Sequence, residues 1–182
     1  GFEYDKLGRV LKTIDAVGYN LTGVERDRHT EFYGYNAFGD RVTVTNKLGG
    51  VTTNTYDKRG LLTQESQAIA WTQSNGTAAS TTIVNKFEYD ARGNQTKSIE
   101  AAGQSEERST NFVYDKLGRL TAQFGSPVTV LNEALVASTA TSISLIAYDR
   151  RGNISASYVN GALTFHYVDD LNRKTAQVDA AG

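Results

Sequence analysis

The chain has no cysteine and no methionine, and it has one proline and two histidines among 182 residues. Without cysteine it forms no disulfides and no thiolate metal sites, although this does not fix the compartment. The two histidines, His29 and His166, have no partners at the spacing of a zinc site or of a general base. We therefore expect structural roles for both, and the sequence predicts no metal and no cofactor.

Charge and hydropathy argue against several further classes of protein. The formal net charge of −1 gives no reason to expect nucleic acid or an anionic membrane surface as a partner. No apolar run approaches the roughly 18 residues that a membrane span needs. Neither a Gly-x-Ser-x-Gly elbow nor a phosphate loop occurs. The sequence thus predicts no catalytic residues and no enzymatic activity.

Seven copies of one tyrosine-centred motif fill the chain. After the tyrosine comes Asp or Asn, whose side chain can bond backbone amides two residues on and begin a turn. Three positions later stands Gly, or once Asn, the residues best suited to positive φ. The copies are Tyr4, Asp5 and Gly8; Tyr35, Asn36 and Gly39; Tyr56, Asp57 and Gly60; Tyr89, Asp90 and Gly93; Tyr114, Asp115 and Gly118; Tyr148, Asp149 and Gly152; and Tyr167, Asp169 and Asn172.

The residue two positions before the tyrosine is usually large and apolar, and this spacing puts both side chains on one face of a strand. Asn54 is the exception, and Val168 in the seventh copy is interpreted as an extra residue, typical of a β-bulge. We expect a buried aromatic stripe that holds consecutive hairpins together. The apolar residues are Phe2, Tyr33, Phe87, Phe112, Ile146 and Phe165.

A second acid-x-x-Gly or Asn-x-x-Gly turn follows ten residues after four of the motif turns, at Asp15, Asn46, Glu100 and Asp179. Strands therefore alternate with turns at both ends. The predicted fold is all-β, an antiparallel meander of repeated β-hairpins forming a curved sheet. Residues 1–182 are interpreted as a single array of about seven repeats. The chain begins inside a repeat and ends at a turn glycine, so we interpret it as an excerpt of a longer array.

Other segments carry weaker signals. The Ser/Thr/Ala-rich stretches 67–85, with Trp71, and 125–144, with Pro127, are predicted to be long hairpins or loops. Residues 131–137 could instead form one or two helical turns. Arginines after the motif turns are expected to pair across strands with nearby acids.

The Tyr-Asp-x-x-Gly-Arg motif, as in 4–9 and 114–119, resembles the YD repeat of the RHS family over residues 2–182. The resemblance implies a long antiparallel sheet coiled into a hollow shell that encloses a C-terminal polypeptide, commonly a toxin. Bacterial members are polymorphic toxins or cocoon subunits of insecticidal toxin complexes, and the animal members, teneurins, are adhesion proteins. No Asp-Pro-x-Gly stretch is present, so the self-cleaving aspartates of the family have no counterpart here.

The resemblance implies a non-catalytic structural segment of such a shell, secreted or at a bacterial cell surface. Its partners would be flanking YD repeats of the same polypeptide and an enclosed toxin or effector. The alternative is a cell-surface adhesion or carbohydrate-binding repeat module that binds a surface glycan, with Trp71 as the candidate contact. Neither hypothesis involves nucleic acid or a membrane span.

Overall fold

The computed structural model describes residues 1–74, 76–131 and 137–180, with the side chains of 129–131 and 137 outside the described part. It confirms the predicted all-β meander, because fourteen antiparallel strands lie side by side in chain order. The order runs from β1 to β14 without closing. The strands are β1 (Phe2–Tyr4), β2 (Val10–Ile14), β3 (Thr30–Tyr35), β4 (Arg41–Thr45), β5 (Val51–Tyr56), β6 (Leu62–Thr72), β7 (Ala78–Tyr89), β8 (Gln95–Glu100), β9 (Arg108–Tyr114), β10 (Leu120–Leu131), β11 (Ala137–Tyr148), β12 (Ile154–Val159), β13 (Ala162–Val168) and β14 (Lys174–Asp179).

Contacts divide the chain into two units. The first contains Gly1–Phe87 and Glu100–Glu107, and it holds the motif turns that begin at Asp5, Asn36 and Asp57. The second contains Glu88–Ile99 and Arg108–Gly182, and it holds the other four motif turns. Within each unit every motif turn joins an odd-numbered strand to the next even-numbered strand, so the motif turns of a unit share one edge of its sheet.

Five of the motif tyrosines are half-buried and two are exposed, which corrects the expectation of a buried stripe. Tyr4 is 58% exposed, and the tyrosines of the five following copies are half-buried. Among the described residues only Ile14, Ala122 and Thr30 are buried side chains. The physical reason is that the strands form one sheet, in which a side chain is covered by its cross-strand neighbours alone.

The tyrosine hydroxyls join each hairpin to the hairpin before it. In each case the phenol donates a hydrogen bond to the carbonyl of the first residue after the preceding motif turn. This contact uses a polar group at the rim of the sheet and fixes the spacing between consecutive repeats. The pairs are Tyr35 with Val10 at 2.8 Å, Tyr56 with Arg41 at 2.9 Å, Tyr114 with Gln95 at 3.0 Å and Tyr148 with Leu120 at 2.9 Å.

A β-bulge accompanies the motif turns. In the first copy Glu3 pairs with Lys12 but Tyr4 pairs with Val10, so Leu11 is the extra residue of the strand that follows the turn. The same shift accompanies the turns that begin at Asn36, Asp57, Asp115 and Asp149. The bulge is therefore a regular part of the repeat and lies after the turn.

The seventh copy is aligned differently from the sequence interpretation. Val168 pairs with Lys174, and Tyr167 pairs with Ala176, so the bulge again lies in the following strand, at Thr175. Val168 is not an insertion, because it occupies the position that tyrosine has in the other copies. Side chains alternate along a strand, and Tyr167 consequently lies on the opposite face, where it is 51% exposed.

The connection between β2 and β3 departs from the predicted turn at Asp15. It contains a 3-10 helix, Gly18–Asn20, and a short helix α1, Gly23–Asp27. Gly18 is buried, and a Cβ there would lie 2.4 Å from the Cβ of His29. Glycine is thus required at this position by close packing and not by a left-handed backbone.

Both Ser/Thr/Ala-rich stretches are long hairpins, as expected. Strands β6 and β7 pair from Gln64 and Lys86 to Thr72 and Ala78. Strands β10 and β11 pair as far as Leu131 and Ala137. The alternative of a helix over 131–137 concerns residues 132–136, which lie outside the described residues, and both flanking residues are in strands.

Replacing Tyr114 by Phe should reduce the free energy of unfolding by about 1 kcal/mol, the usual net value of one hydrogen bond. The substitution keeps the ring and removes only the hydroxyl that donates to Gln95. Tyr167→Phe is the matched control, because its hydroxyl makes no hydrogen bond within the described part of the chain. Urea unfolding checks both variants, and equal effects would contradict the assignment.

Candidate functional site

The motif turn is built around one carboxylate. In the first copy the Asp5 backbone N–H donates to the Arg9 carbonyl at 2.9 Å, and the Gly8 N–H donates to the Asp5 carbonyl at 3.1 Å. The Asp5 Oδ1 accepts the N–H groups of Leu7 at 2.8 Å and Arg9 at 2.9 Å. Gly8 has a φ of 79°, so a side chain there would strain the backbone. One side chain therefore satisfies the donors that the turn exposes.

The same four contacts recur in all seven turns. They begin at Asp5, Asn36, Asp57, Asp90, Asp115, Asp149 and Asp169, and positive φ falls at Gly8, Gly39, Gly60, Gly93, Gly118, Gly152 and Asn172. The structure thus places every Asp, Asn and Gly of the sequence motif in a turn. It does not bring the acids of different turns together as a carboxylate pair, because each has its oxygens occupied by its own turn.

A further rule of the motif was missed by sequence reasoning. The residue four positions after the acid contacts its second oxygen, as Arg9 does with Asp5 at 2.6 Å. In the second copy the polarity is reversed, because Asn36 donates its amide to Asp40 at 2.9 Å. The third copy has Leu61 at this position, and Arg59 Nε bonds Asp57 instead at 2.9 Å. The signal in the sequence is the type of this residue, which is Arg or Asn after an Asp and Asp after the Asn of the second copy, except for Leu61 in the third.

The same contacts correct, for three arginines, the expectation that the arginines after the turns pair across strands. Arg9, Arg119 and Arg173 each form an ion pair with the aspartate of their own turn. A five-residue turn brings the two side chains together before any strand pairing occurs. Pairing with a neighbouring strand or hairpin also occurs, since Lys12 lies 3.0 Å from Glu3 and Arg151 lies 3.4 Å from Asp170.

Consecutive turns also contact one another within each unit. The Arg9 guanidinium stands over the Tyr35 ring at 4.7 Å, and Arg119 over the Tyr148 ring at 4.3 Å. Such cation–π contacts stabilise by about 0.5–1 kcal/mol where solvent reaches them. The Arg92 Nη1 donates to the Lys116 carbonyl of the next turn at 2.6 Å. Each edge is therefore a ladder of linked turns.

Hydrogen bonding lowers the pKa of the turn aspartates below its ordinary value. For Asp5, Asp57, Asp115 and Asp169 the largest cause is the backbone N–H four residues on. For Asp90 and Asp149 the largest cause lowering the pKa is the side-chain amide of the Asn at that position. Partial desolvation opposes the effect. The carboxylates are thus held ionised as acceptors.

Each of the two histidines belongs to a set of contacting side chains outside the motif turns. Asp15 accepts the Gly18 N–H, contacts His29 Nδ1 at 3.1 Å and accepts from Lys47 Nζ at 3.0 Å, and these bonds lower its pKa. The cluster ties the β2–β3 connection to the turn between β4 and β5. No group of three potential metal ligands occurs among residues 1–74, 76–131 and 137–180.

Ser157 Oγ lies 2.9 Å from His166 Nε2, on adjacent strands. This resembles the nucleophile–base contact of hydrolases. Within the described residues, however, no acid contacts the other nitrogen of His166, and the pair lies on regular strands instead of at a helix N-terminus or a nest of free N–H groups. The sequence predicted neither the contact of His29 with Asp15 nor that of His166 with Ser157. Both depend on the pairing of strands that brings these side chains together.

Known proteins resemble the chain in fold and not in sequence. No family description and no curated protein matches it. The crystal structure of TcdB2-TccC3-TEV is similar to it with a TM-score of 0.62 and 16% identity, covering 96% of this chain and 9% of that chain. A structure of a mutated Photorhabdus luminescens Tc holotoxin pore matches with a TM-score of 0.42 and 15% identity, covering 92% of this chain and 12% of that one.

The first of these likenesses shows the fold. Both matches are to chains far longer than this one, of which it spans about a tenth. In the part of the chain that the structure describes, no helix is long and apolar enough to cross a membrane.

The polarity of the second turn can be tested by a double-mutant cycle. Asn36→Asp alone places a carboxylate against Asp40 and removes the amide donor, and we expect the Tm to fall by about 2–4 °C. Adding Asp40→Asn restores a donor and should recover most of the loss, because it recreates the arrangement of Asp90 and Asn94. Additive effects in thermal unfolding would contradict the pairing.

The lowered pKa values predict a stability that depends on pH. Because the folded state lowers the pKa below the ordinary 3.8, the aspartates stabilise the fold fully above about pH 5. That contribution is lost as pH falls through the folded-state pKa. We expect the urea midpoint to be flat from pH 7 to 5 and to fall steeply below pH 4. A midpoint unchanged down to pH 2 would show that the turn carboxylates do not stabilise the fold.

Proposed function

We propose that the chain is a non-catalytic structural segment of an RHS/YD-repeat shell that encloses a C-terminal toxin or effector, secreted or at a bacterial surface. The tyrosine-to-carbonyl contact between consecutive repeats carries this proposal. It recurs at Tyr35, Tyr56, Tyr114 and Tyr148. The likeness of fold to TcdB2-TccC3-TEV supports it.

A sheet of paired strands linked in this way could act as a barrier to other polypeptide chains. Strands in a sheet lie about 4.8 Å apart, so paired strands leave no gap through which another chain could pass. Each strand from β2 to β13 has a hydrogen-bonded neighbour on both sides. The wall therefore needs no buried core to be continuous. Its function would be to separate what lies on its two sides.

The proposal includes no catalysis by this chain. The carboxylates of the turns are occupied by turn donors, which leaves no general acid or base at the motif. The Ser157–His166 contact lacks an orienting acid in the described residues. Enclosure would be the whole mechanism, with flanking YD repeats and the enclosed segment as partners.

The second candidate is a carbohydrate-binding adhesion module. Trp71 is 46% exposed near the end of β6, where a ring could stack on a sugar. The only ring pair in the described residues is Phe2 with Tyr4, so no second aromatic side chain supports Trp71 there. Glycan-array binding that disappears in Trp71→Ala would favour this candidate over the first.

The enclosing function can be tested by limited proteolysis of the natural polypeptide that carries these repeats, with any region C-terminal to residue 182 retained. We expect that region to resist protease in the intact protein. Weakening the wall with Asp5→Ala and Asp57→Ala together should expose it, because both turns lose their central acceptor.

Asp170→Ala is the matched control. This aspartate lies within a motif turn, but its side chain is 97% exposed and accepts none of the turn's backbone N–H groups, making only a solvent-exposed ion pair with Arg151. The control should cleave like the unmodified protein. A C-terminal region that is cut equally fast in the unmodified protein, the double variant and the control would contradict enclosure.

A further inference from the structure

The contact between consecutive repeats holds a guanidinium group in a defined place. In the first such contact the Arg9 side chain is bonded to Asp5 at 2.6 Å and lies over the Tyr35 ring at 4.7 Å. Its Nη1 also donates to the Asn36 carbonyl at 3.4 Å. A Cβ on Gly39 would lie 3.9 Å from that nitrogen, so the guanidinium also packs against the glycine of the following turn.

A second contact between repeats has the same arrangement. Arg119 is bonded to Asp115 at 2.7 Å and lies over the Tyr148 ring at 4.3 Å. A Cβ on Gly152 would lie 3.6 Å from its Nη1. We call the ring of the next motif tyrosine together with the glycine of the next turn the arginine site, because an arginine occupies it in both cases.

The third motif tyrosine has the same arginine site with a carboxylate beside it. Tyr56 donates to the Arg41 carbonyl at 2.9 Å, so the usual hydroxyl contact between repeats is kept. The position that holds arginine in the other two cases is occupied by Asp40, whose Oδ1 would lie 3.6 Å from a Cβ on Gly60. A carboxylate oxygen therefore stands where the other two contacts place a guanidinium nitrogen.

Within the described residues no cation lies over the Tyr56 ring. Arg41, which follows Asp40 in the chain, lies over the Tyr33 ring instead, at 5.2 Å. The Asp40 side chain accepts one hydrogen bond, from the Asn36 amide to Oδ2 at 2.9 Å, and forms no ion pair in the described part of the chain. Its Oδ1 can therefore accept a charged donor.

An open cavity of about 790 Å³ is lined by this arginine site and the two turns beside it. Its lining includes Asp40, Tyr56 and Phe38, and Phe38 is 92% exposed. A guanidinium group stacks its planar face on aromatic rings while its N–H groups donate to a carboxylate. The lining thus offers both kinds of contact that this group uses.

Three other charged side chains line the cavity. Asp57 and Arg59 are bonded to each other at 2.9 Å, and Asp57 Oδ1 accepts N–H groups of its own turn. Lys58 is exposed and forms no ion pair within the described residues, so its ammonium group can compete for the same carboxylate. Asp40 is consequently the acceptor that the cavity offers to a cation from outside.

The contact at Tyr114 shows what a neutral residue does at this position. Asn94 stands there in place of an arginine, and its amide donates to Asp90 at 2.8 Å. The Arg92 guanidinium donates to a carbonyl of the next turn at 2.6 Å. An amide offers no charge to a cation, so we expect no guanidinium to bind beside Asn94.

We propose that the cavity lined by Phe38, Asp40 and Tyr56 binds the guanidinium group of an arginine side chain from a partner polypeptide. The group would lie against the Tyr56 ring and donate to Asp40 Oδ1. Arginine is the ligand because the chain itself holds this group at the equivalent place twice. A partner supplies it because the nearby Arg41 and Arg59 are engaged by Tyr33 and Asp57. The inference does not rest on the enclosing function, so each can fail without the other.

Amide chemical shifts of the isotope-labelled 182-residue chain, titrated with Nα-acetyl-L-arginine N-methylamide, test the proposal. Saturable shifts should appear at the amides of residues 36–40 and 57–61, with half-saturation in the millimolar range that a few weak contacts allow. The citrulline derivative of the same shape is neutral. It should bind about fivefold more weakly, because it cannot form the ion pair with Asp40.

Three variants of the cavity make different predictions. Asp40→Asn should weaken binding of the arginine derivative about fivefold, because it gives this contact the neutral side chain found at Asn94. Lys58→Ala should strengthen binding, because it removes a competing cation. Asp40→Arg should abolish binding, because the chain then fills the site with its own guanidinium. Asp27→Asn is the matched control, because it neutralises an exposed aspartate of the same unit that does not line the cavity.

Circular dichroism checks that each variant folds. Phe38→Ala changes an exposed ring and replaces Asp40→Asn if that variant unfolds, and it should weaken binding about twofold or more because one stacking surface is lost. The proposal is overturned by the absence of saturable shifts, by equal binding of the citrulline derivative, or by a control as impaired as Asp40→Asn.

Discussion

The structure depends on an Asp or Asn side chain that accepts two backbone N–H groups within a five-residue turn. This contact is local, so it can form before distant strands meet. It sets the exit direction of the next strand, and the bulge that follows sets the register. Because each turn fixes its own hairpin, the meander needs no long-range contact to choose its strand order.

Stability in such a sheet is distributed instead of concentrated in a core. The described part of the chain buries only three side chains, so hydrophobic burial at any one site is limited. Tyrosine hydroxyls, guanidinium–ring contacts and backbone ladders each contribute modestly and recur in several copies. This is the energetic pattern of repeat proteins, in which neighbouring units stabilise one another.

Periodicity predicted the turns and the strands well, because both are decided within a few residues. The acid at the turn and the glycine three positions later, as in Asp115 and Gly118, have a local physical cause that a single sequence displays. Burial could not be predicted in the same way. Whether Tyr114 is buried depends on whether a second layer of secondary structure packs on the sheet. The motif carries no information about such a layer.

The seventh copy shows a different limit. Tyr167 was the natural choice for the motif tyrosine, but a strand assigns faces by distance from the turn and not by residue type. Contacts such as Ser157 with His166, or Asp15 with Lys47, depend on register and on the path of a connection. Sequence spacing alone carries no information on either.

The partner of each turn carboxylate lies at most four residues away from it, in the same turn. Every turn carboxylate therefore has its hydrogen-bond partner within its own repeat, whatever stands on either side. Duplication or loss of a whole repeat would leave each remaining turn carboxylate with its partner. An array of this kind can change its length one hairpin at a time during evolution while every motif turn keeps its own internal contacts.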